Sequence, residues 1–227
     1  MQDDRLTLES RLSSGLADEF FSSLSAGELL FYAAEALALG LPDVAARWSP
    51  DPLVKAAAFL RMGQPQEALE ALRDVENARV AVLRARAAWQ LQHPEALPLA
   101  ETARRLARQE GDAGAIIASA ALLGELHLTE PRVALRTLAE GLKVAEVIGA
   151  EADAYLLAVL AHAQNRAGGT DKAQKTARKA LARSPDRSPA RAVALLALNR
   201  PADAREVAAA GKLGGLWLIP FTPALRQ

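Results

Sequence analysis

Cysteine is absent from this 227-residue chain, which removes disulfides, thiolate nucleophiles and cysteine metal sites together. Aromatics are scarce, 4% of residues against 51% hydrophobic overall, so any core must be built mainly of alanine and leucine. These are the strongest helix formers, and alanine at a crossing lets two helix backbones approach closely. A charge bias is missing as well: 27 Lys and Arg balance 27 Asp and Glu, which argues against nucleic-acid binding driven by overall electrostatics. No apolar run approaches the roughly 18 residues a membrane-spanning helix needs. The opening MQDDRLTLESRLSSG is acidic and polar, without an apolar centre, so a signal peptide is not expected and the cytoplasm is the expected location.

What the chain does have is a recurrence. Six phrases place an alanine just inside a helix start after a turn-like break: Ala45, Ala68, Ala96, Ala134, Ala173 and Ala204. The steps between them are 23, 28, 38, 39 and 31 residues, bracketing the roughly 34-residue period of helix–turn–helix repeats. Stacked helix pairs form one continuous body, so a single domain is expected. Charge is distributed unevenly along it. Residues 1–100 carry 9 basic and 14 acidic side chains, and residues 101–227 carry 18 and 13. Such polarity can orient a charged partner or favour head-to-tail contacts, or it is drift in surface charge.

Local signals place the helices. Leu6, Leu8, Leu12 and Leu16 form an apolar stripe, read as a capping helix within 1–24. Ser25 with Glu28 is a capping-box pattern before LLFYAAEALALG, whose apolar residues on all sides predict a buried helix ending at Gly40. Asp51 as cap and Pro52 at the first helical position open the next helix, which ends at Gly63. Short anchor helices follow each, around 43–48 and 65–74. Pro98 is expected to kink the helix begun near Pro94 or to delay its start. Longer pairs occupy the middle of the chain, and a shorter pair, PARAVALLALN with PADAREVAAAG, comes last.

The stretch LAVLAHAQNRAGGTDKAQKTARKALARSP resembles a tetratricopeptide repeat. Leu160 and Ala161 match that pattern's Leu–Gly/Ala pair, Gly168 its inter-helix turn, Ala173, Ala177 and Ala180 its small residues on the second helix, and Pro185 its closing proline. Leu123 and Gly124 match the same pair one unit earlier, with His127 where the family usually has Tyr. The first two anchor steps are too short for full pairs. The middle steps are similar to the longer repeats of bacterial multidomain transcription regulators, where they serve as effector or partner modules. The resemblance implies an all-α, α-α superhelix of antiparallel pairs. About six irregular pairs would fill 26–210, followed by a non-helical apolar tail at 211–227. It also implies noncovalent binding of a protein or peptide on the concave face lined by the first helix of each pair.

Residues that could carry chemistry are few. His93, His127 and His162 recur at 34- and 35-residue spacing, which the repeat length explains better than a shared metal. The acidic pairs Asp3–Asp4, Asp18–Glu19 and Glu151–Asp153 fall at helix starts or in loops, where carboxylates suit the helix dipole. GGT at 168–170 lacks the Lys-Ser/Thr of a phosphate-binding loop, and LGGLW at 213–217 is not followed by a helix pattern. No catalytic residue, cofactor or metal is assigned, and the protein is read as non-enzymatic.

Three constellations remain. Register puts Arg61, Trp89 and Arg166 near the ends of successive first helices, with His162 and Asn165 close by. These are interface-prone residue types; the alternative is Trp89 packed on Pro94 and solvated arginines. Lys172, Lys175, Arg178, Lys179 and Arg183 form a basic stripe opposite the buried alanines of their helix. It suits nucleic-acid phosphates or an acidic partner in a regulatory module, or is simply a solvated convex face. Leu216, Trp217, Leu218, Ile219 and Phe221 make an apolar run that Pro220 and Pro223 bar from regular helix. Too large to leave exposed, it is read as a cap folded over the last pair or into the groove, or as a homo-oligomer contact.

Overall fold

The computed structural model describes residues 17–222, so the stripe Leu6–Leu16, the pair Asp3–Asp4 and Pro223 lie outside the described residues. The protein is all-α: among the described residues there are thirteen α-helices, two single-turn 3-10 segments and no strand. The helices are α1 Ala17–Ser22, α2 Ala26–Ala38, α3 Pro42–Trp48, α4 Pro52–Arg61, α5 Pro65–Ala71, α6 Ala78–Gln90 and α7 Ala96–Glu110. They continue with α8 Ala113–Leu126, α9 Pro131–Val147, α10 Ala154–Arg166, α11 Thr170–Arg183, α12 Pro189–Ala197 and α13 Pro201–Ala210, followed by the 3-10 turns Gly215–Trp217 and Ile219–Phe221. Among these residues no helix is long and apolar enough to cross a membrane.

After α1 the helices fall into six pairs with alternating start chemistry. Every even-numbered helix from α2 to α12 is N-capped by a side chain that accepts from the first turn: Ser25, Asp51, Asn77, Asp112, Asp153 and Ser188. Each such cap satisfies one of the orphan N–H groups of the helix start. Ser25 and Glu28 complete the capping box that their spacing predicts. The second helices have no side-chain cap; α3, α5, α9 and α13 begin instead on Pro42, Pro65, Pro131 and Pro201. Proline there has no N–H to leave unsatisfied and a φ already suited to the helix. α7 starts at Ala96, two residues after Pro94, so Pro98 falls at its third residue, where a missing N–H costs nothing.

Five of the six turns inside pairs share one geometry. A left-handed residue, Gly40, Gly63, Gln92, Gly168 or Asn199, follows the first helix. The next N–H then closes back by 2.9 Å onto Ala36, Phe59, Ala88, Gln164 or Leu195, respectively. This six-to-one bond is the Schellman closure.

All six anchor alanines lie on second helices and are at most 3% exposed. The first two pairs, read from their short steps as incomplete, are complete: each has a second helix cut to seven residues. Within a pair the helices pack on each other, and each first helix also packs on the next, α2 on α4, α4 on α6, α6 on α8, α8 on α10 and α10 on α12. No second helix makes comparable contact with the following second helix. The largest apolar cluster joins α8 to α12 through Ala120, Leu138, Leu156, Val159 and Val193, and it includes Phe221 of the C-terminal turns.

α2 departs from expectation. Its sequence predicts burial all round, yet Leu30 is 48% and Phe31 55% exposed, and only Ala33 and Ala36 are buried. As the first member of the row, it has a neighbouring first helix, α4, on one side only.

Candidate functional site

First helices α4, α6, α10 and α12 all meet one segment of chain, residues 214–221. The approach begins with two glycines: a Cβ on Gly214 would lie 2.5 Å from Gly63 Cα, so only glycine permits this backbone-to-backbone contact. Here Gly214 N–H donates to the Arg61 carbonyl at 2.8 Å. Trp217 Nε1 then donates to the Leu60 carbonyl at 2.6 Å, a link spanning 157 residues of sequence. Further along, Arg166 donates from Nη2 to the Pro220 carbonyl at 2.7 Å, and the Phe221 ring sits 4.8 Å from the His162 ring. A further tie comes from Lys212, paired with Asp43 of α3 at 2.6 Å. The apolar run therefore lies across α4, α6 and α10 as well as the last pair. Prolines leave it as two 3-10 turns with no α-helix.

Beneath Trp217 lies a buried polar cluster. Glu125 on α8 accepts both bonds from Arg86 Nη1 of α6, at 2.7 and 2.6 Å. The same carboxylate accepts from Trp89 Nε1 and from the Tyr155 hydroxyl of α10, each at 2.7 Å. Arg86 and Glu125 side chains are 9% and 1% exposed. The Arg86 guanidinium lies 4.7 Å from the Trp217 ring centre, within cation–π range, and Tyr155 meets Trp217 edge to face at 5.6 Å. Burial, the strongest single influence, would lower the Arg86 pKa, but the charge and hydrogen bond of Glu125 together with those of Tyr155 outweigh it and hold the guanidinium above its ordinary value. Burial raises Tyr155 well above a normal phenol, so it remains a neutral donor. With every group paired, the cluster ties three successive first helices and the tail together, as buried charges require.

No family model matches this chain, and no curated protein does either.

Four of the five residues read as partner-binding line the path of the tail: Arg61 through its carbonyl, His162 and Arg166 as above, and Trp89 in a cavity of about 360 Å³ shared with Leu216, Ile219 and Pro220. Asn165 instead donates to the Ala197 carbonyl of α12 at 3.1 Å. Trp89 packs with Ala85, Ala100, Leu122 and Leu123 while bonding Glu125. His162 is 6% exposed with Nε2 on the Val193 carbonyl at 3.0 Å, and burial pushes its pKa down to about 4. His93 lies in the turn before α7 and His127 caps the end of α8, so the three histidines belong to separate elements.

Of the tail residues, Phe221 is buried, Leu216 and Trp217 are half-buried and Ile219 is 57% exposed. On α11, Lys172, Lys175, Arg178, Lys179 and Arg183 are all exposed, and among the described residues only Arg183 pairs with an acidic side chain, Glu151 at 3.6 Å. Sequence reasoning missed Arg86, Glu125 and Tyr155. The signal was present: Arg86, the second Arg of VLRARAAW, and a lone Glu in ALLGELHL interrupt otherwise apolar helix faces, and a buried charge demands a partner.

Proposed function

We propose that this chain is a non-enzymatic interaction scaffold of tetratricopeptide-like build, working in the cytoplasm and binding an extended peptide or partner segment on the concave, first-helix face. The carrying observation is that this face already holds a peptide, the chain's own residues 214–221, by a main-chain bond from Gly214 to Arg61, an indole bond from Trp217 to the Leu60 carbonyl and the seated Phe221 ring. Main-chain bonds with side-chain anchors are how extended segments are commonly recognised. A superhelical shape is supported by the packing: first helices touch their successors while second helices do so far less, which draws the first-helix row to the inside of the curve.

The test uses a labelled peptide of residues 212–222 added to the full chain. The wild type, with its own tail seated, is expected to bind it weakly, and the Trp217→Ala/Phe221→Ala variant distinctly more tightly. A folded double variant that takes up no peptide would sink the reading. Tail exchange between copies, the oligomer alternative, would appear in the same experiment as a concentration-dependent dimer.

A second reading, a regulatory module associated with nucleic acid, draws support from the α11 stripe, where Lys172, Lys175, Arg178 and Lys179 are exposed and have no acidic partner among the described residues. It requires a DNA or RNA shift that weakens steeply with salt and is lost in a four-alanine variant.

A further inference from the structure

Below the Trp217 indole, the first helices line a half-open cavity of about 430 Å³, within the size range of small-molecule sites. Its walls are apolar, chiefly Ala57, Val82, Leu83, Ile117, Ala118 and Leu122, and Trp217 forms one side. Two guanidinium groups reach it, and they differ in kind. Arg86 is neutralised by Glu125. Arg61 is half-buried, and its one protein acceptor among the described residues is the Leu37 carbonyl at the end of α2, with no carboxylate among those residues paired to it. Desolvation without a counter-charge pulls its pKa down to about 10, so it still carries its charge at neutral pH. A partly desolvated cation with spare donors beside an apolar chamber is an unfavourable arrangement when empty, and one that an anion offsets. Asp153, at the exposed rim, belongs to the α10 start, where its side chain accepts from Leu156 N–H.

We infer that this chamber binds an amphipathic monoanion, a small molecule with one carboxylate on an apolar body, whose head pairs with Arg61 and whose body lies along α4, α6 and α8 beneath Trp217. The reading does not rest on the proposed peptide binding, although the two sites share Trp217. It carries a regulatory corollary: since Trp217 is both tail anchor and chamber wall, the ligand favours the seated tail, and a partner that lifts the tail lowers ligand affinity by the same factor.

Titration of dodecanoate and of dodecanol, below their micellar or solubility limits, into the full chain tests it. Dodecanoate is expected to bind one per chain and roughly ten- to a hundred-fold more tightly than the alcohol, the range for a hydrogen-bonded charge. Arg61→Met should shrink that preference to about two-fold. Ala118→Trp, at an exposed wall position, should fill the chamber and remove binding of both ligands. If Arg61→Met does not fold, Ala118→Trp decides. No saturable dodecanoate binding, an acid-over-alcohol preference unchanged in Arg61→Met, or binding unchanged in Ala118→Trp each overturns the inference.

Discussion

Replacing Glu125 with alanine removes the acceptor on which three buried donors converge. Arg86 keeps a full charge at 9% exposure with its counter-ion gone, and Trp89 Nε1 and the Tyr155 hydroxyl lose their partner. Breaking one side of a buried pair costs about 3–5 kcal/mol. The two orphaned neutral donors act in the same pocket, so their costs of about 1–3 kcal/mol each overlap with it rather than add in full. A loss of about 4–5 kcal/mol is therefore expected, a large part of the roughly 5–15 kcal/mol that holds a domain folded. Urea denaturation followed by far-UV circular dichroism measures it, with the slope checking that the transition stays cooperative. The double variant Arg86→Met/Glu125→Leu replaces both charges with apolar groups of similar size and should recover most of the loss, because the penalty lies in the unpaired charge. A Glu125→Ala loss under about 1 kcal/mol, or a double variant no more stable than the single, would refute this account of the cluster.

Other perturbations read different parts of the fold. Trp217→Ala removes a half-buried ring and its bond to Leu60 and should cost about 2–3 kcal/mol; it should also speed tryptic cleavage at Lys212, and an unchanged cleavage rate would mean that Trp217 does not hold the tail. His162 stays neutral in the fold down to about pH 4, whereas the unfolded chain protonates it near pH 6.5. The unfolded state thus binds the extra proton, so stability is full above about pH 6.5 and falls as pH drops toward 4, by an amount on the order of 2–3 kcal/mol. Melting temperatures across that window should fall less in His162→Gln; parallel curves would contradict it. Gly124→Ala would place a Cβ 2.5 Å from Leu138, which is fully buried, so overpacking should outweigh the gain in helix propensity and leave a net loss of about 1–2 kcal/mol. Gly27, with nothing within 4 Å of a Cβ, should gain roughly 0.5–1 kcal/mol on the same change.

Much of the fold is legible in single residues. The anchor alanines point to second helices because a tight crossing tolerates only small side chains, and Ser25 and Asp51 mark helix starts through a purely local bond. The burial of α2 is misread because apolar content does not say how many neighbours an element has, and the end of a row has fewer. The first two pairs look incomplete because step length does not distinguish a missing helix from a shortened one. Trp89 and Arg166 stand out in the sequence by type and register, and the structure places both along the path of the tail. That they are already engaged by Pro220 and Glu125 depends on contacts 54 and 36 residues away in sequence, and no local pattern encodes those. Arg86 and Glu125 lie 39 residues apart, on the successive first helices α6 and α8, so their pairing follows once helices are stacked in order.

The tie between Leu60 and Trp217 also sets an order of events in the life of the chain. During synthesis at about 5–20 residues per second, the 157 residues between them take roughly 10–30 s to emerge. For that time the face of the early helices has no tail to cover it, and the Arg86 ring of partners is still short of its indole. A nascent chain thus passes through an uncovered form that a chaperone or a partner can meet first. Cotranslational capture and post-translational capture become different reactions, one competing with nothing and the other with the protein's own tail.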